Sequence, residues 1–169
     1  MRTLFYVVVY GFFGYILERL INLVAYGHWY DNRVLTLPLQ PMYGIGVVIA
    51  IIFFGQIKRF PINYHVQVGL LFPVAILSTA LSEWVSGEGY LWLHGSRLWD
   101  YGHTFPMCDY PFVCWLPTTL FGLLSALTVL YVHPSLERFF SKWPKWVLYG
   151  VPSIVILDAI ITYTSLALS

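Results

Sequence analysis

The sequence predicts an all-α polytopic membrane protein, one transmembrane domain over residues 1–169 built as a bundle of about five helices. Two observations carry that prediction. Hydrophobic residues make up 59% of the chain and charged residues 10%, where an ordinary globular protein is about 25% charged. So few charges cannot cover a surface that faces water, whereas a surface that faces lipid needs none. The apolar residues also fall into five runs, most of them near the roughly 20 residues a helix needs to cross the hydrocarbon core.

The first run extends from about Thr3 to Tyr26. Its place behind Met1-Arg2-Thr3 invites comparison with a signal peptide. The run is long, however, carries Glu18 and Arg19, and shows no small-x-small cleavage site before a polar segment, so it is expected to stay as the first membrane helix. The second run, about Pro41 to Ile57, is short and is expected to tilt little or to be extended by its flanks. The third spans about Val66 to Val85, the fourth about Phe112 to Val132 and the fifth about Trp146 to Leu168. Pro73 and Pro117 fall inside the third and fourth, where each removes a backbone donor and can kink its helix. The connecting loops are His28–Gln40, Lys58–His65, Ser86–Pro111 and His133–Lys145, the third being the longest and most aromatic. There is no internal repeat and no low-complexity stretch.

Orientation follows from the cations, because cytoplasmic loops carry the excess of Lys and Arg. With the N-terminus inside and the C-terminus outside, the inner side holds Arg2, Lys58, Arg59, Arg138, Lys142 and Lys145, against Arg33 and Arg97 outside. Trp29, Trp84, Trp92, Trp99 and Trp115 then approach the outer interface and Trp143 and Trp146 the inner one, the belts that tryptophan prefers. The formal net charge of +1 and the lack of any basic run exclude a nucleic-acid binder.

Ionisable groups inside a bilayer cost at least about 2.5–3.5 kcal/mol each on insertion scales, so those present call for a reason. Glu18, Arg19, Glu83 and Asp158 stand inside predicted helices. At 1.5 Å per residue, Glu18, Glu83 and Asp158 lie about 22, 25 and 18 Å along their helices from the inner end. All three carboxylates therefore fall at or beyond the midplane, in the outer half, near loops that carry Arg33, Arg97 and Asp100. Gly11, Gly14, Tyr15, Glu18 and Asn22 recur at three- and four-residue steps and share one side of the first helix. The two glycines on that side admit a close neighbour. Arg19 is turned by about 100° from Glu18 and is placed to reach the outer interface.

Several stretches together resemble one family. They are Gly14-Tyr15-x-x-Glu18, Asn32-Arg33, Pro38, Pro41-Met42-Tyr43-Gly44-Ile45-Gly46, Glu83, Gly95-Ser96-Arg97-Leu98-Trp99-Asp100-Tyr101, Cys114, Phe121-Gly122 and Asp158. From about Gly11 to Asp158 the chain resembles the small bacterial membrane proteins called Putative ABC-transporter type IV, or CmpB-like. The family pattern has Asn-Arg-Gly where Asn32-Arg33-Val34 stands and Gly-Pro where Leu37-Pro38 stands, so the backbone after Arg33 is less free here. The resemblance implies a permease component in the bacterial inner (plasma) membrane, moving a small solute or a lipid. The chain has no phosphate-binding Gly-x-x-x-x-Gly-Lys-Ser/Thr loop, so ATP hydrolysis would need a separate ATPase subunit. Five helices are few for a substrate path, which points to a homodimer or to other membrane subunits as partners beside the bilayer.

The polar residues shared with the family define the candidate substrate-binding set: Glu18, Asn22, Asn32, Arg33, Tyr43, Glu83, Arg97, Trp99, Asp100, Tyr101 and Asp158. In a transporter the carboxylates serve as ion or proton relays. In the alternative, a membrane enzyme acting on a lipid or lipid-linked substrate, Glu18 or Asp100 moves a proton while Arg33 and Arg97 clamp an anion. A third reading is a non-catalytic assembly partner. No cofactor and no metal are expected: His28, His65, His94, His103 and His133 contain no i, i+4 pair, and although His94 and His103 share the third loop with Asp100 and Asp109, the spacing has no metal signature. Cys108 and Cys114, six residues apart on the outer side, are read as structural thiols or a disulfide, since Cys-x-x-Cys spacing is lacking.

Overall fold

A computed structural model describes residues 2–29, 31, 33–103 and 106–167. Among them the regular structure is wholly helical: α1 (Arg2–Tyr26), α2 (Pro41–Ile57), α3 (Tyr64–His94), α4 (Trp115–Phe140) and α5 (Lys145–Ala167), with a 3-10 turn at Tyr101–His103. Four of these helices are long and apolar enough to cross a membrane; α2, with 17 residues, is shorter. Their outward faces expose Phe12, Phe13, Leu20, Leu77, Leu120, Leu157 and Ile161. Apolar exposure on that scale is foreign to a soluble monomer and is what lipid requires. The protein is a helical membrane protein.

Two helices run further than the hydropathy predicts. α3 continues past Val85 to His94, 31 residues in all, or about 46 Å, well beyond the ~30 Å hydrocarbon core. Its limits are set by caps rather than by polarity. Asn63 Oδ1 accepts the His65 N–H at 2.8 Å at the start, and Gly95, at φ +67°, closes the last turn onto Leu91 O. That left-handed conformation suits glycine. α4 continues past the His133-Pro134 pair where a break is expected. Pro134 has no N–H to give, and the turn before it widens to a π-helix over Thr128–Val132, in which the His133 N–H bonds Thr128 O. The re-registered helix then runs on to Phe140. Pro117 falls in the first turn of α4, where its missing donor has no helical acceptor to lose, so it does not interrupt the helix. Pro152, inside α5, is fully buried.

The chain forms two compact units, Met1–Ile45 with Trp143–Ser169 and Gly46–Lys142. In the first, α1 packs on α5 and on the segment leading into α2. The Gln40 N–H donates to Gly11 O at 3.1 Å. A Cβ on Gly44 would stand 2.0 Å from the Val7 carbonyl oxygen, and one on Gly14 would stand 2.4 Å from the Tyr43 Cβ. The glycine line of α1 thus meets the start of α2 at near backbone contact. In the second unit, α3 and α4 form the principal pair. Glu83 meets Thr118, and Ile76 meets Gly122, so the two run antiparallel. Ala50 and Phe54 of α2, Leu71 and Ala75 of α3, and Ala126 and Val129 of α4 make its apolar core.

Candidate functional site

Among the described residues of the predicted site, Glu83 is the most deeply buried. It lies on α3 with 3% of its surface exposed. The Tyr101 hydroxyl donates to Oε1 at 3.1 Å and the Thr118 hydroxyl to Oε2 at 2.5 Å. The segment between α3 and α4 is folded so as to bring Tyr101 there. Phe112, fully buried, lies against Gly87 of α3, where a Cβ would stand 2.3 Å from the ring. Trp99 meets Phe112 edge-on at 5.7 Å and donates its indole N–H to Phe112 O at 3.3 Å. The Tyr101 N–H donates to Pro111 O at 2.8 Å. Cys108 and Cys114 are joined as a disulfide, with Cα atoms 5.3 Å apart.

Arg97 and Asp100 hold each other at 2.5 Å, and Asp100 Oδ1 accepts the Gly102 N–H at 2.9 Å. The Arg97 side chain remains half exposed. This is a local turn lock, three residues in span. Glu88, further along α3, accepts from the Tyr110 hydroxyl, and that bond, with added burial, pushes the Tyr110 phenol above its ordinary value of 10.0.

In the first unit, Arg19 forms an ion pair with Asp31, which also pairs with Arg33 Nε at 3.2 Å. Arg19 turns to the loop after α1: its side chain is 13% exposed, and the guanidinium stands 4.7 Å from the Tyr15 ring centroid and 5.4 Å from that of Trp29. A cation held this way gains from both rings and from the carboxylate. Glu18 and Asn22, half-buried, continue the Val7–Gly11–Gly14 line of α1 toward its C-terminal end. Tyr43 packs on Gly14. Asp158 of α5 accepts the Leu37 N–H through Oδ2 at 3.1 Å. Asn32 lies outside the described residues, as does the side chain of His103.

The predicted site residues therefore fall into both units: Glu18, Asn22, Arg33, Tyr43 and Asp158 in one, Glu83, Arg97, Trp99, Asp100 and Tyr101 in the other. Within the second the structure joins Glu83 to Tyr101 and Arg97 to Asp100. Sequence reasoning missed Thr118, Asp31 and Glu88. Thr118 lies 35 residues from Glu83, and nothing in its neighbourhood in sequence marks it. His94 ends α3 rather than standing in the loop, beside the Tyr90 ring at 4.4 Å. Among the described residues no cluster of His, Cys, Asp or Glu could hold a metal.

The family model described as Putative ABC-transporter type IV matches residues 5–165. The chain belongs to that family. No curated protein and no solved structure matches the chain. As a type IV family member with four long apolar helices, it is a multi-pass membrane protein.

Proposed function

We propose that this protein is the membrane-spanning component of a transporter for a small solute or lipid. It works in the bacterial plasma membrane beside a separate ATPase subunit, with its polar site in the outer half of the bilayer. Glu83 carries the reading. A carboxyl within a membrane span is costly and marks a substrate or ion path more often than a bare structural need. Glu83 sits in such a span, held by two hydroxyl donors. Glu18 and Asp158 are carboxyls within two further spans. Support also comes from the family description, which names a transporter. The N-terminus is cytoplasmic and the C-terminus outside, as the Lys and Arg distribution favours. The enzyme reading has Arg33 and Arg97 clamp an anion while Glu18 or Asp100 moves a proton. Arg97 and Asp100 are paired with each other, which weighs against these two acting in those roles.

Native mass spectrometry of the protein drawn from its own membrane tests the proposal. A solute or lipid should co-purify with the wild type and be lost from Glu83→Gln. Equal retention by Glu83→Gln would remove Glu83 from the path.

A further inference from the structure

A series of three links runs from a covalent cross-link to the Glu83 carboxyl. Cys108 is bonded to Cys114. The Cys114 N–H donates to Thr118 Oγ1 at 3.3 Å, and Thr118 Oγ1 lies 2.5 Å from Glu83 Oε2. A hydroxyl has one proton and two lone pairs. Thr118 accepts from Cys114 through one lone pair and keeps its own proton to give to the Glu83 carboxylate.

This is not what helical hydroxyls do by habit. Ser and Thr within helices commonly bond the carbonyl one turn back. Ser78, Thr128, Ser153 and Thr164 do so here, to Val74 O, Leu124 O, Tyr149 O and Ile160 O. For Thr118 the carbonyl one turn back is Cys114 O. It accepts the Thr118 backbone N–H at 3.0 Å, while the hydroxyl crosses to α3. Cys114 is also the residue at the head of α4, in extended backbone at φ −135° and ψ 135°. Its N–H lies ahead of the helix and is free to point at Thr118. The disulfide holds Cys114 in that place.

We propose that Thr118 is a positioning residue for Glu83 and that the Cys108–Cys114 disulfide keeps it aimed, a role that rests on Glu83 being the working group. Reduction by an external dithiol then loosens the carboxyl. The S–S bond breaks, the dithiol supplies two electrons and two protons and closes to its own disulfide, and Cys108 and Cys114 become thiols.

The test uses the full chain in liposomes and the rate at which a hydrophobic carbodiimide labels Glu83, read by peptide mass spectrometry. Thr118→Val is expected to raise the rate about tenfold, the factor matching loss of one hydrogen bond of this kind. Thr118→Ser keeps the hydroxyl and should label as wild type. Thr128→Val, whose hydroxyl serves its own helix, should not change the rate. Dithiothreitol should raise labelling of the wild type and add nothing in Thr118→Val. A wild-type rate in Thr118→Val overturns the proposal, and so does an equal dithiothreitol effect in both proteins. If Thr118→Val does not fold, the wild type decides alone: no rise on reduction overturns it. Failure of the transport reading shows elsewhere, as ligand retained by Glu83→Gln while the labelling rates still shift.

Discussion

Gly122 of α4 lies against the backbone of Ile76 in α3: a Cβ at position 122 would stand 2.6 Å from the Ile76 Cα. Backbone cannot give way as a side chain can, so Gly122→Ala must push the two helices apart. Overpacking of this kind costs about 1–3 kcal/mol. Gly150, with nothing within 4 Å of its Cβ position, provides the contrast. There Gly150→Ala is expected to stabilise α5 by roughly 0.5–1 kcal/mol through helix propensity. Unfolding from mixed micelles by titration with sodium dodecyl sulfate reads both. Equal effects at the two positions would contradict the packing described.

Asp158 joins α5 to the segment before α2 through a single acceptor, Oδ2, which takes the Leu37 N–H. Asp158→Leu removes that acceptor and leaves a part-buried amide without its partner, at a cost of about 1–3 kcal/mol. Asp158→Asn retains an oxygen at the same place and should keep most of the stability. Hydrogen exchange at Leu37 separates the outcomes: fast in Asp158→Leu, near wild type in Asp158→Asn. Fast exchange in the wild type would show that the bond is not held in solution.

The fold class was legible because lipid demands one thing of every outward residue, and composition reports it directly. Helix length was not. Polarity ends a hydropathy window at Ser86 or His133, but a helix ends where its backbone bonds do, at Gly95 for α3 and at Phe140 for α4. A π-turn lets α4 pass Pro134, an accommodation that no residue pattern announces. Glu83 was visible as a charge in an apolar run. Thr118 was not, because a hydroxyl in a membrane helix is common and only the antiparallel register of α3 and α4 selects this one. Arg97 and Asp100 were read as site groups where the structure pairs them three residues apart, a contact whose spacing was available in the sequence.

Tyr110 should titrate late. Its hydroxyl donates to Glu88, and that bond raises its pKa in the folded protein above the ordinary 10.0. A pKa raised on folding contributes stability that is present in full below the unfolded value and lost as pH rises through the folded one. The contribution is therefore intact at neutral pH and disappears only on the alkaline side of 10.0. NMR of protein labelled at the tyrosine ring carbons should show the Tyr110 phenol ionising above 10.0, and Glu88→Gln should lower its midpoint. No change in Glu88→Gln would mean that the bond does not govern the titration.

The disulfide bears on the direction of the chain through the membrane. Such bridges persist in oxidising spaces and are rare in the cytosol, so the segment that holds Cys108 and Cys114 is expected outside. Lys142 and Lys145 flank the turn after α4, and by the preference of basic residues that end is expected inside. The two criteria are independent, one chemical and one electrostatic, and they give α4 the same direction. Because both native cysteines are bridged, a single added cysteine can report on each end. On intact cells a membrane-impermeant maleimide should label Ser96→Cys, while Ser141→Cys should react only after permeabilisation. The reverse pattern would put the bridge in a reducing compartment and invert the orientation. Labelling of both from outside would mean that α4 does not cross.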